Sequence, residues 1–291
     1  MRESRIALGT AQLGQRYGIA NRSGIPARAE VAAILACARD AGSDTIDTAM
    51  AYGDSESVLG EAGVQSFSIV TKLPPIVPDC ADVEAWVRMK LRSSLDRLRV
   101  DRLDGLLLHR PADLAGRHAG PLKAVLESVR AEGLVRRIGV SVYEPDEIDA
   151  LGSLVHLDLV QVPYSILDQR FERSGCLRRL TDAGTEIHSR SVFLQGLLLM
   201  SWPEIPAAFA AWRPVFDRYH AWLEQSRTSP LDACLGFALS NPDISRVVVG
   251  VESVAQLRQV YASARASIPA IGSELATDDM NLINPSNWMR A

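Results

Sequence analysis

Residues 103–141, LDGLLLHRPADLAGRHAGPLKAVLESVRAEGLVRRIGVS, hold two strands and a helix in a form that the rest of the chain repeats. Leu103–His109 is a nearly continuous apolar run, the pattern of a strand covered on both faces rather than half-exposed to water. Leu122–Glu132 is amphipathic and is closed by Gly133, as a helix is, and Arg137–Ser141 is again a short apolar strand. The same alternation extends in both directions. Upstream lie strands Arg5–Leu8, Thr45–Thr48 and Phe67–Lys72, with helices Arg28–Asp40, Ser55–Ala62 and Ala81–Leu98 between or after them. Downstream lie strands Leu157–Val162, Thr185–Val192 and Arg246–Val249, with helices Pro145–Leu151, Glu172–Ala183 and Ser253–Ala266. A longer helical region, Pro203–Ser226, precedes a helix that starts at Ser229-Pro230, a Ser cap with Pro in the first turn, and ends at Asn241-Pro242.

Eight strands, each followed by a helix, imply a parallel sheet covered by helices. Eight such units within 291 residues favour one closed (β/α)8 barrel over a doubly wound sheet. The expected domain is therefore 1–291, with 267–291 a C-terminal tail of no periodic pattern that folds over the active-site face. A Rossmann sheet would open its first helix with GxGxxG. Gly9, Gly14 and Gly18 miss that spacing, so a bound dinucleotide would be held differently.

Composition narrows the function classes. Hydrophobic residues make up 47% and charged residues 23%, ordinary values for a globular chain with a sizeable core. A net charge of −4 gives no electrostatic case for nucleic acid or an anionic membrane, and acidic residues interleave with most of the arginine clusters. No apolar run approaches a membrane span, and the N-terminus lacks the apolar core of a signal peptide. Four scattered cysteines, Cys37, Cys80, Cys176 and Cys234, form no metal-binding spacing and read as free thiols in a reducing compartment. A cytoplasmic enzyme, monomeric or a small homo-oligomer, is the expectation.

In such a barrel, polar side chains at the C-terminal ends of the strands face the active site. Strand 2 ends in Asp47-Thr48-Ala49-Met50-Ala51-Tyr52-Gly53, strand 3 in Thr71-Lys72 and strand 4 in Leu108-His109-Arg110-Pro111. Alone, a loop Tyr is usually packing, a strand-end Lys is usually solvated and a His is usually a satisfied core residue. Together, on consecutive strands, they make coherent chemistry. A Tyr hydroxyl, with a pKa of about 10, is a poor acid at neutral pH unless a neighbouring ammonium stabilises its phenolate. Lys72 supplies that charge, Asp47 holds Lys72 protonated and in place, and His109 donates a hydrogen bond to a substrate carbonyl. The rim has no carboxylate cluster for magnesium and one well-placed His for zinc, so no metal is expected.

The motifs DTAxxYG, TK and LHRP, in this order on these strands, resemble those of the aldo-keto reductase superfamily. The resemblance extends over nearly the whole chain through LGTAQLG, GVS at Gly139–Ser141, QVPYSILDQR at Gln161–Arg170, FLQGLL at Phe193–Leu198 and VVVGVES at Val247–Ser253. It implies a (β/α)8 barrel that binds an extended nicotinamide dinucleotide and interconverts an aldehyde or ketone, a sugar among the candidates, with the alcohol. Asp47, Tyr52, Lys72 and His109 match the family's four catalytic positions.

For the cofactor, the resemblance implies Gly9 and Thr10 on strand 1 and Ser141 and Gln161 at the nicotinamide carboxamide, with Val142 where Asn is usual. Arg190, followed by Ser191, stands where an aromatic residue often stacks on the nicotinamide; its planar guanidinium could stack instead. Gly196, Leu198, Gly250, Glu252, Ser253 and Gln256 fall in segments that contact the pyrophosphate and adenosine. NADP(H) is the family default. Glu252 near the expected 2′-phosphate site would repel that dianion yet could accept from a ribose diol, so NAD(H) or dual use stays open. Trp202 and Trp288, in segments matching the pocket loops and tail, are the substrate-pocket candidates. The alternative reading is a nucleotide-binding regulatory or structural barrel with little turnover.

Overall fold

In the computed structural model, which describes residues 4–152 and 156–290, eight parallel strands close into a barrel in sequence order. They are β1 Ile6–Gly9, β2 Thr45–Asp47, β3 Ser68–Leu73, β4 Leu103–Leu108, β5 Val135–Ser141, β6 Leu159–Pro163, β7 Glu186–Arg190 and β8 Arg246–Gly250. β1 pairs with both β2 and β8, which leaves no edge.

Side chains alternate across each strand, and this alternation separates two cores. Val70, Leu107 and Leu159 form a small cluster of their own. Each lies two residues before a polar rim residue on the same face: Lys72, His109 and Gln161. Their neighbours Ile69, Leu106, Leu108 and Val160 face the other way, into the large cluster shared with helix residues such as Val31, Leu91 and Val125. The near-continuous apolar runs in the sequence are thus strands buried on both faces.

The helices Arg28–Asp40, Ser55–Ala62 and Pro145–Leu151 have the expected bounds. Ser229 caps the helix Pro230–Ser240 by accepting from Asp232 N at 3.1 Å, and Ser253 caps Val254–Ser263 by accepting from Gln256 N at 3.2 Å. Two expectations are corrected. The helix expected over Glu172–Ala183 is two short ones, Arg170–Arg173 and Cys176–Asp182, because Gly175 takes a left-handed φ of 71° between them. The longer helical region expected over Pro203–Ser226 begins as two 3₁₀ turns, Trp202–Glu204 and Ala207–Trp212. It becomes an α-helix at Arg213–Ser226, after Pro206 and with Pro214 in its first turn.

The tail carries only short turns at Ser273–Leu275, Met280–Ile283 and Pro285–Arg290. It is tied to loops that follow β6 and β7: Thr277 N donates to Leu167 O at 2.9 Å, Trp212 Nε1 to Asp279 Oδ2 at 2.7 Å, and Trp288 meets Phe209 edge-on at 4.9 Å. Among the described residues, no helix is long and apolar enough to cross a membrane, and no group of three or more His, Cys, Asp or Glu side chains could hold a metal ion. All four cysteines are free, with Cys176 and Cys234 buried.

Candidate active site

β2 and β3 pair with Asp47 opposite Val70, so Lys72 lies one inward position beyond and reaches across to Asp47. Lys72 Nζ donates to Asp47 Oδ1 at 2.6 Å and to Thr48 O at 2.9 Å. Gln161 Nε2 donates to the second carboxylate oxygen, Oδ2, at 2.7 Å, and Ser141 Oγ donates to Gln161 Oε1 at 3.3 Å. Lys72 is 1% exposed and Asp47 4%. Such a buried pair is tolerable only when the remaining polar atoms are also satisfied, and here Thr48 O and Gln161 Nε2 contribute to that. Burial works against the Lys72 ammonium, but the Asp47 carboxylate and then Tyr52 outweigh it and hold its pKa above the ordinary value.

Tyr52 stands over this pair, with Lys72 Nζ 5.2 Å from its ring centroid. The His109 ring meets it edge-on at 6.0 Å and 69°. Burial first, then the charges of Lys72 and Arg190, lower the His109 pKa to about 4, so the imidazole is neutral near pH 7.

The Tyr52 loop is fixed by backbone contacts. Tyr52 N donates to Ala49 O and Ser55 N to Tyr52 O, both at 3.0 Å, while Asp54 N donates to Gly14 O at 3.2 Å. Ser55 Oγ donates to Thr10 O at 3.0 Å, joining the loop to the turn after β1. Gly14 has to be a glycine, since a Cβ there would lie 2.1 Å from both Tyr52 O and Ser55 N. Gly14→Ala should therefore displace the Tyr52 loop and lower stability by about 2 kcal/mol or more. Denaturant unfolding checks this; a variant as stable as wild type would refute the close packing.

A cleft of about 380 Å³ opens above these groups. Its lining includes Asp47, Tyr52 and His109, Glu252, Gln256 and Gln259, and Ser141, Gln161, Arg190 and Gly250. Gly9, Thr10, Ser191 and Gly196 line it as well. Lys72 lies buried below the lining, and four further sequence candidates stand elsewhere. Leu198 is buried in the core with its carbonyl accepting from Tyr219 OH at 3.0 Å, and Ser253 serves as the helix cap. Trp202 lies against the His220 ring at 5.6 Å and beneath the Arg213 guanidinium. Trp288 packs on Phe209 and donates to Leu282 O at 2.9 Å. Neither tryptophan lines the cleft.

Arg190 takes an unanticipated position. Its guanidinium lies over the Tyr143 ring at 4.2 Å and donates to Val142 O at 2.9 Å and Ser191 Oγ at 3.2 Å. One planar face is therefore already covered by protein. Tyr17 and Tyr143, absent from the sequence candidates, also line the cleft. Both sit in irregular loops, where no periodic signal marks a side chain as inward-facing.

Comparison with known proteins places the chain. The family model described as "Aldo/keto reductase family" matches residues 5–271. The chain belongs to the aldo/keto reductase family. Among curated relatives, it is 34% identical over 206 residues to a D-threo-aldose 1-dehydrogenase of a Pseudomonas species, covering 66% of this chain and 61% of that one. It is 36% identical over 141 residues to a 6-dehydroglucose reductase of Novosphingobium aromaticivorans, covering 42% and 45%, so the matches span less than two thirds of both relatives. An NADH-specific methylglyoxal reductase of Escherichia coli is 25% identical with 91% of each chain covered. The fold is shared with an aldo-keto reductase from Bacillus halodurans in its holo form, with a TM-score of 0.73 at 20% identity, covering 93% of this chain and 89% of that one.

Members of this family use nicotinamide cofactors, and the donor set of the cleft fits one. The Ser141 hydroxyl and the Gln161 amide, which is bonded to Asp47, line the cleft with Tyr52 and His109, and its wall also includes Glu252 and Gln256 around the start of the helix Val254–Ser263. That span suits an extended dinucleotide, whose anionic centre favours a helix N-terminus.

Proposed function

We propose that the protein is an NAD(P)H-dependent oxidoreductase that interconverts a small aldehyde or ketone and its alcohol, with Tyr52 as general acid and base. The observation that carries this reading is the buried Lys72–Asp47 pair beneath the Tyr52 ring at the wall of the cleft. A reduced nicotinamide, when bound, supplies the hydride. Tyr52 gives its proton to the carbonyl oxygen as negative charge develops there, and the Lys72 ammonium stabilises the phenolate left behind. Asp47 keeps Lys72 charged and aimed. His109, neutral near pH 7, donates an N–H bond to the same oxygen and orients the carbonyl. The names of the two sugar-acting relatives support an aldose or a similarly small polar carbonyl as substrate.

The cleft wall around Glu252 supports NADH as the preferred cofactor. Glu252, Gln256 and Gln259 line it without a Lys or Arg. Arg258, the nearest cation in sequence, instead lines the groove between the helices Arg28–Asp40 and Val254–Ser263. Burial raises the Glu252 pKa, though its hydrogen bonding to Gln256 opposes this. A carboxylate there disfavours a 2′-phosphate and accepts readily from a ribose hydroxyl. Glu252→Lys should therefore shift the ratio of NADPH to NADH affinity upward by roughly tenfold or more. Fluorescence titration of both dinucleotides reads this directly, and an unchanged ratio would remove Glu252 from the account.

A further inference from the structure

Among the described residues that line the cleft, Arg190 is the one Lys or Arg. Its acceptors, Val142 O and Ser191 Oγ, are both neutral, and among the described residues no carboxylate pairs with it. Asp47 is committed to Lys72, His109 is neutral near pH 7, and among the described residues Glu252 forms no ion pair with Arg190. The cleft beside His109 thus carries one positive charge without a counter-ion.

That charge is held in place in the cleft that Tyr52 and His109 also line. The Tyr143 ring beneath it and the bond to Val142 O fix the guanidinium plane. Tyr17 closes the same corner: burial raises its pKa first, then Tyr52 does, while Arg190 and its hydrogen bond to Gln195 pull it down. Three phenols, a neutral imidazole and a guanidinium therefore surround the place where a carbonyl would react. Two of the five guanidinium N–H groups are used by protein acceptors, which leaves donors for an oxyanion.

We infer that Arg190 binds an anionic substituent, a carboxylate or phosphate, on the carbonyl substrate. This names the substrate class for the reductase proposed above and rests on that reading. A planar guanidinium held on an aromatic face recognises such groups in bidentate form, and a neutral substrate would leave the charge unmatched.

The test compares two matched pairs, 4-oxobutanoate against butanal and glyceraldehyde 3-phosphate against glyceraldehyde, in wild type, Arg190→Met and Arg190→Lys. The readout is the ratio of kcat/KM within at least one pair. Wild type should favour the anion by roughly tenfold or more, Arg190→Met should bring the ratio to about one or below, and Arg190→Lys should retain part of it. The pair that responds tells a carboxylate from a phosphate. Direct titration of succinate and inorganic phosphate onto the protein gives a readout independent of turnover. Binding of either one that is lost in Arg190→Met supports the inference. Turnover of both members of each pair with a wild-type ratio near one overturns it and leaves the reductase standing. A raised Kd for the dinucleotide in Arg190→Met with the substrate ratio unchanged also overturns it, assigning the charge to the cofactor. No turnover of any probe counts against the reductase, and no binding of either anion in that case overturns the inference as well.

Discussion

Tyr52→Phe is expected to lower kcat/KM for carbonyl reduction by about 10³-fold or more, while dinucleotide affinity stays within about threefold of wild type. The change removes one oxygen atom and keeps the ring that meets His109 at 6.0 Å and lies over Lys72 Nζ. Tyr17 and Tyr143 also line this cleft, but the Lys72 ammonium lies against the ring of Tyr52. His109 is neutral with a pKa pushed down to about 4, and Lys72 is 1% exposed beneath the ring, with its ammonium directed to Asp47 Oδ1 and Thr48 O. The loss should therefore fall on the chemical step rather than on binding. Steady-state kinetics alongside a cofactor titration separates the two, and a variant that turns over as wild type does would end the proposed role.

The second large effect concerns the pair below. Lys72→Met leaves the Asp47 carboxylate buried with a single remaining donor, Gln161 Nε2 at 2.7 Å. Removing one partner of a buried ion pair costs about 3–5 kcal/mol, because the other charge stays behind without compensation. The variant should unfold at markedly lower denaturant and lose most turnover. The double variant Lys72→Met/Asp47→Asn, which removes both charges, should regain much of the stability but not the activity. Recovery of turnover in the double variant would show that the pair serves folding alone.

The barrel was legible because strands covered on both faces leave uninterrupted apolar runs such as Leu106–Leu108, and Gly and Pro mark most helix ends. The break at Gly175 and the 3₁₀ turns after Trp202 were not legible, since amphipathic spacing continues through both. The neighbourhood of Asp47, Lys72, Tyr52 and His109 could be read because closing a barrel brings consecutive strand ends together. The Arg190–Tyr143 stack could not, because it depends on the paths of two loops. Glu56 escaped for a related reason. It is 2% exposed and accepts from Thr71 Oγ1 at 2.7 Å, Ser94 Oγ at 2.6 Å and Arg97 Nε at 2.9 Å, yet in the sequence it is one acidic residue on a short helix. Its bonds tie that helix to β3 beside Lys72 and to the helix Val83–Leu98, contacts that exist only after the barrel has closed.

In the proposed reaction a hydride passes from a dinucleotide in this cleft to a carbonyl carbon while Tyr52 supplies the proton. The direct measurement uses NADH and NADPH deuterated at the transferable position, incubated with the enzyme and a panel of short aldoses and aldehydes, neutral and anionic. Mass spectrometry of the products then locates the label. The expected product is an alcohol with one deuterium on the former carbonyl carbon, formed by wild type and nearly absent with Tyr52→Phe. Tight dinucleotide binding with no labelled alcohol from any carbonyl in the panel would contradict the proposed reaction.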